Sequence, residues 1–185
     1  TTEIAVVSLG GVVVSKSLRV AGDKMNNDII RYIRNHYKLL IGERTAEDIK
    51  IKIGSACPTN DRLELVIRGR DVITGLPKEV VVNDVDARKA ISSSVMTIVN
   101  TIKASIEETP PELIGDIMER GIILAGGGGL LRGLDKLITN VTLIPTFVTA
   151  DPLTAVVRGA GMVLEDIQHL REVLVQLDIG KPPKF

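Results

Sequence analysis

The chain has 185 residues, 44% of them hydrophobic, enough for a packed globular interior and against intrinsic disorder. Basic and acidic residues balance at 23 each, so the chain lacks the positive field of a nucleic-acid groove and carries little net charge to oppose self-association. Aromatics make up 2% with no Trp, which leaves the core to Ile, Val and Leu.

The chain opens on Thr1, Thr2 and Glu3 and not on basic residues ahead of an apolar run, so no signal peptide is read there. Without an initiator Met, and starting inside a strand-like pattern, it reads as a piece of something larger. Residues 4–9 predict a strand, Gly10-Gly11 a tight turn and residues 12–20 its hairpin partner. Ala21-Gly22-Asp23 leads into a helix with Asp23 as its N-cap, along which Ile29, Ile33, Tyr37 and Leu40 recur at helical spacing. Gly42 offers a left-handed stop for that helix. A second helix is expected from Thr45, with Glu47 and Asp48 in its first turn and Gly54 closing it.

Residues 57–62 read as loop. Cys57, the single cysteine, cannot close an internal disulfide, which argues for a reducing, cytoplasmic setting, and nothing beside it suggests an activated thiol. Residues 63–68 and 79–82 predict a second hairpin around Gly69, Thr74-Gly75 and Pro77. A long helix follows over 86–108, its buried stripe formed by Ile91, Val95, Ile98, Ile102 and Ile106. Pro110-Pro111 ends it and opens a short helix through Glu119. Residues 121–125 form a short apolar strand, residues 126–129 are all glycine, and 130–139 predict a helix. Residues 141–148 are a strand candidate that Pro145 confines to an edge or bend. A helix is expected from Asp151-Pro152, then an amphipathic helix over 165–177 and a loose tail over 181–185. No apolar run is long enough to cross a bilayer. The order is α/β: a mixed sheet flanked by helices, with a small inserted α+β subdomain. Residues 1–22 and 86–178 would form the main subdomain, 23–85 the insert and 179–185 the tail.

Three local patterns suggest chemistry. In the first, a buried strand runs into Gly126, Gly127, Gly128 and Gly129 and then Leu130. Only glycine lets backbone approach a flat ligand closely and visit positive φ without a Cβ penalty. A tight strand-to-helix turn is the plain alternative, but one or two glycines would serve it. No Gly-Lys-Ser/Thr follows, so this is not a P-loop. In the second, Glu47 and Lys50 stand three apart and share a helix face. A carboxylate there could accept from ribose hydroxyls while the Lys stem covers a base. From spacing alone, an exposed ion pair is the better reading. In the third, Gly22-Asp23 opens a helix that could face a phosphate or ribose, though a plain cap explains Asp23 equally well.

The order and content of these patterns resemble the second half of the ribonuclease H-like ATPase fold shared by actins, heat-shock chaperones and sugar kinases. The nearest resemblance is to the bacterial actin family MreB. It is carried by Thr1-Thr2-Glu3-Ile4-Ala5-Val6-Val7-Ser8-Leu9-Gly10, Ala21-Gly22-Asp23-Lys24-Met25 and Ile41-Gly42-Glu43-Arg44-Thr45-Ala46-Glu47. Thr74-Gly75-Leu76-Pro77, Thr109-Pro110-Pro111-Glu112-Leu113 and Pro152-Leu153-Thr154-Ala155-Val156 extend it.

The resemblance implies that adenine lies against Gly126, Gly127, Gly128, Gly129 and Leu130, with Glu47 and Lys50 on its other side and Gly22 near the ribose and phosphates. Thr1 and Thr2 would end a phosphate-holding turn whose Asp and glycines would precede them. The ligand would be ATP or ADP with Mg2+, the metal held mainly by phosphates and by a first half that this chain does not contain. No catalytic or metal-binding residue is assigned here, and the chain alone is expected to hydrolyse no ATP. The intact protein would assemble head-to-tail into filaments, lie in the cytoplasm at the inner membrane face and work with the cell-wall elongation machinery to set rod shape. No nucleic-acid partner is expected. A chaperone-type lobe, a sugar kinase lobe and a partner-binding adaptor are the competing readings.

Overall fold

The computed structural model describes residues 1–166. In chain order the elements are β1 (Thr2–Ser8), β2 (Gly11–Leu18), α1 (Gly22–Tyr37), β3 (Leu39–Leu40) and α2 (Glu43–Ile53). Then come β4 (Glu64–Asp71), β5 (Pro77–Asn83), α3 (Asp84–Glu107), α4 (Pro111–Arg120) and β6 (Ile122–Leu124). A 3-10 turn over Gly127–Leu130, α5 (Leu134–Thr142), β7 (Thr146–Val148) and α6 (Ala155–Glu165) follow. The helix expected over 165–177 and the tail lie outside the described residues beyond Asp166.

The α/β order is as expected. Both antiparallel and parallel pairings occur, but among the described residues they form three separate sheets: β1–β2 antiparallel, β3–β4–β5 antiparallel and β6–β7 parallel.

The first hairpin turns at Leu9 (φ 49) and Gly10 (φ 77), not at Gly10-Gly11. Two consecutive positive φ values twist the chain to match the flanking strands, and Gly11 already pairs with Ser8. A bulge follows, since Val6 faces Val14 but Val7 faces Val12.

Helix α1 starts one residue before Asp23: Ala21 is the N-cap and makes no side-chain cap. It ends at Tyr37 because Lys38 takes the left-handed conformation (φ 54), well before Gly42. Leu39 and Leu40 leave the helical stripe because they find sheet partners in Asp71 and Arg70. Gly42 instead caps the start of α2, which begins at Glu43, so Glu43 and not Glu47 lies in its first turn. Helix α3 begins at Asp84, where the Asn83 side chain accepts from the Asp86 amide at 2.9 Å. Helix α5 starts at Leu134 and not at Leu130, since Gly133 (φ 72) breaks the chain direction just before it. Only residues 146–148 of the expected 141–148 strand pair, because α5 runs on to Thr142 and Leu143 (φ 62) turns out of it. Residues 151–154 form a turn ahead of α6, with Asp151 O accepting from Ala155 N at 3.0 Å.

One continuous apolar cluster joins these pieces. Ile29 and Ile33 of α1, Ile49 of α2, Val82 of β5, Ile91, Val95 and Val99 of α3 and Ile138 of α5 are almost fully buried. The long-helix stripe is as expected, with Ile91, Val95, Ile98 and Ile102 buried and Ile106 packed at its margin.

Polar pins fix α1 against α3. The Asp28 carboxylate, 2% exposed, accepts from Ser94 of α3 and from Lys24 and Arg31. Asp86 accepts from Tyr32 at 2.7 Å and from Tyr37, and the Tyr32 ring stacks on His36 with centroids 4.2 Å apart. Partial burial alone would push the Asp86 carboxyl up. The hydrogen bonds from Tyr37 and Tyr32, with Lys89 and His36 nearby, outweigh that and hold it below the usual range. Burial, then the bond to Asp86, pushes the Tyr32 phenol up to about 12.

Two outcomes are expected. Ile91→Ala removes a fully buried side chain and should cost about 3 kcal/mol in urea unfolding. Tyr32 ionises at about 12 when folded and at 10.0 in an open chain, so its stabilising contribution is present below 10.0 and is lost as pH rises through about 12. Thermal melts of Tyr32→Phe should therefore start lower at neutral pH and lose less stability across that alkaline window.

Candidate functional site

The root of the first hairpin and the start of α1 are held together. Thr2 donates its hydroxyl to Val20 O at 2.7 Å, and Val20 immediately precedes Ala21 and Gly22. Thr1 is exposed. Because Ala21 supplies no side-chain cap, the first amides of α1 are not satisfied by a side chain. Free amides at a helix start suit an anionic or polar ligand atom.

Lys50 reaches this point from α2. Its ammonium donates to Gly22 O at 3.3 Å, and a Cβ on Gly22 would lie 3.2 Å from that Nζ. The Lys50 side chain is only 16% exposed, whereas Glu47 is 55% exposed and its carboxylate stands 4.0 Å from Nζ. The solvated-pair reading thus fits Glu47, worth a few tenths of a kcal/mol. It does not fit Lys50, whose stem is sheltered between α2 and the start of α1.

The four glycines after β6 serve different ends. Gly126 takes φ 79 and donates its amide to Pro152 O at 2.6 Å. Gly129 is buried, and a Cβ there would sit 3.2 Å from Leu124 Cβ. The turn therefore accounts for these two. Gly127 and Gly128 have neither constraint: a Cβ on Gly127 would meet only Leu153 Cδ2 at 3.6 Å, and one on Gly128 would meet nothing within 4 Å. Their backbone is bare and open, beside Leu130 at 52% exposure and Leu153 at 68%. Internal packing does not demand glycine at these two positions.

Arg132, Ser55 and Arg88, which sequence reasoning left without a role, join the glycine loop to the end of α2. Arg132, at the exit of the glycine loop, donates through Nε to Gly54 O at 3.1 Å. Its own carbonyl accepts from Ala56 N at 2.8 Å, and it bridges Ser55 in parallel register. Arg88 of α3 donates to Ser55 Oγ at 3.2 Å and pairs with Asp84. Gly54 ends α2 by donating to Ile49 O and Lys50 O, both at 3.1 Å. A Cβ there would lie 2.3 Å from Lys50 O, so only glycine makes this turn. Cys57 packs its sulfur on Gly133, where a Cβ would come within 2.5 Å. Sequence reasoning marked Gly54 as the end of the second helix but not its pairing with Arg132.

Thr2 and Gly22 are thus gathered at the start of α1 with Lys50, and residues 126–130 are tied through Arg132 to the end of the helix that carries Lys50 and Glu47. Among the described residues, no group of three or more His, Cys, Asp or Glu could hold a metal ion. No helix there is long and apolar enough to cross a membrane.

Residues 1–172 match the family described as MreB/Mbl protein. The cell shape-determining protein Mbl of Bacillus subtilis (strain 168) is 46% identical over 170 residues, 92% of this chain and 51% of that protein. The cell shape-determining protein MreB of Escherichia coli (strain K12) is 47% identical over 167 residues, 90% of this chain and 48% of that protein. The chain spans about half the length of the curated relatives it matches. Among solved structures, MreB5 of Spiroplasma citri bound to ADP gives a TM-score of 0.87 at 38% identity, over 92% of this chain and 52% of that one. Its AMPPNP-bound form gives 0.86 at the same identity. The MamK double helical filament, 20% identical with a TM-score of 0.70, shares the fold alone. The α/β order described above is therefore actin-like, and the chain belongs to the MreB/Mbl protein family.

Proposed function

We propose that this chain is the nucleotide-facing half of an actin-like, ATP-dependent filament protein that determines cell shape. The observation that carries the reading is the bare backbone of Gly127 and Gly128 beside Leu130, tied through Arg132 to the helix bearing Lys50. Family membership supports it over a chaperone or sugar kinase lobe, as does a relative 38% identical whose structures hold ADP and AMPPNP.

In this reading a purine lies on residues 126–129 and Leu130, the Lys50 stem covers its other face and Glu47 accepts from ribose hydroxyls. The start of α1 at Gly22 faces the phosphates, with Thr1 and Thr2 at the hairpin root nearby. The fit is favourable on one physical ground: at two positions of the cradle, Gly127 and Gly128, a side chain would intrude on a ligand and not on the protein itself. Mg2+ would travel with the phosphates. In the same reading, residues 1–22 and 86–178, of which 167–178 lie outside the described residues, make up the main subdomain and 23–85 the insert. The partners are further copies of the protein, assembled head-to-tail, and the cell-wall elongation machinery at the inner membrane face.

Equilibrium titration of the chain with ATP tests the site. Gly128→Val should lower affinity by about tenfold or more while leaving the melting temperature within a few degrees, since its Cβ meets no protein atom within 4 Å. Equal affinity for the variant and the parent would overturn the assignment of the glycine wall.

A further inference from the structure

We propose that Arg132 is the positioning residue that sets the gap between the α2 wall and the glycine loop, and so governs affinity for the base but not for the phosphates. The proposal rests on the nucleotide reading above and goes one step into it.

The glycine loop leaves its 3-10 turn through Leu131, which is extended (φ −62, ψ 120). Arg132 then engages one three-residue segment twice: Nε donates to Gly54 O at 3.1 Å, and its carbonyl accepts from Ala56 N at 2.8 Å as part of the parallel bridge to Ser55. Neither side of this seam is free to drift. Ser55 is fully buried and takes a hydrogen bond from Arg88, which is paired with Asp84. Gly133 turns through φ 72 with Cys57 Sγ packed against it. A shift of the Arg132 guanidinium therefore moves Gly54 O. Gly54 N is bonded to Lys50 O, so the Lys50 backbone and the root of its stem, about 6 Å back along the helix, move with it, while the ammonium stays on Gly22 O.

A purely structural role explains Arg132 poorly. Its Nη2 is buried and has no hydrogen-bond partner, a penalty that an apolar side chain of similar length would not carry. What an apolar side chain lacks is the planar fork that aims Nε at Gly54 O. The Gly54 bond concerns the spacing of the two walls that would enclose a base, whereas the phosphate-facing group, Gly22 with Lys50 Nζ and Thr2 with Val20 O, is held by its own contacts. Wall spacing and phosphate contacts are separable for that reason.

The test is a pair of titrations, ATP and inorganic tripolyphosphate, on the parent chain and on Arg132→Met, with melting curves for both. Arg132→Met should bind ATP about tenfold or more weakly, bind tripolyphosphate as the parent does, and melt within a few degrees of it. If ATP binding is unchanged, or if both ligands weaken together, the positioning role is wrong while the nucleotide site stands. If the parent chain binds neither ligand, the nucleotide reading itself fails and this inference with it. Should Arg132→Met not fold, Arg132→Lys carries the same comparison, because it retains the cation and apolar stem but lacks the Nε donor.

Discussion

The contact on which the site depends is the short seam where residues 54–56 meet Arg132. Helix α2 is an eleven-residue element with an apolar underside of Ala46, Ile49 and Ile53, and such a helix can slide or tilt on a core unless its end is fixed. Gly54 fixes it by folding back on the carbonyls of Ile49 and Lys50, a turn that no Cβ would permit. The same residue presents its own carbonyl to Arg132. One peptide thus ends the helix and registers it against the glycine loop.

Around this seam the fold distributes two kinds of force. Apolar burial supplies most of the stability, through aliphatic side chains of α1, α2, β5, α3 and α5 that share one cluster. Polar contacts supply position. Asp28 and Asp86 both lie on the α1–α3 contact, and each accepts from more than one donor. Such multiply satisfied carboxylates add little net energy each, but they remove alternatives for how two helices cross. The start of α1 is held by that means, and with it Gly22 and its link to Lys50.

The glycine loop shows why residue type alone is an incomplete argument. Four glycines in sequence look like a single feature, yet one supplies a left-handed turn, one supplies close packing against Leu124, and two are left bare. Only the bare pair argues for a ligand. A relative 38% identical is described with ADP and with AMPPNP, and the surface beside the bare pair is apolar, with Leu130 and Leu153 half or more exposed.

Local pattern alone determined much of this chain. The long α3 stripe, the two hairpins, the short strand into glycine and the family were all legible, because helical and strand periodicity and contiguous motifs are short-range properties carried by neighbouring residues. Long-range partners decided the rest. Leu39 and Leu40 continue a helical stripe on paper, but pairing with Asp71 and Arg70 draws them into a sheet and moves the end of α1. Lys50 and Glu47 look like one surface pair, but only Lys50 is sheltered, because Gly22 arrives from 28 residues away. Arg132 carries no local signature at all, since its meaning comes from Gly54, 78 residues distant in sequence. Periodicity records which face of an element is buried. It does not record what that face meets, because the partner of a hydrogen bond is chosen by how the whole chain packs.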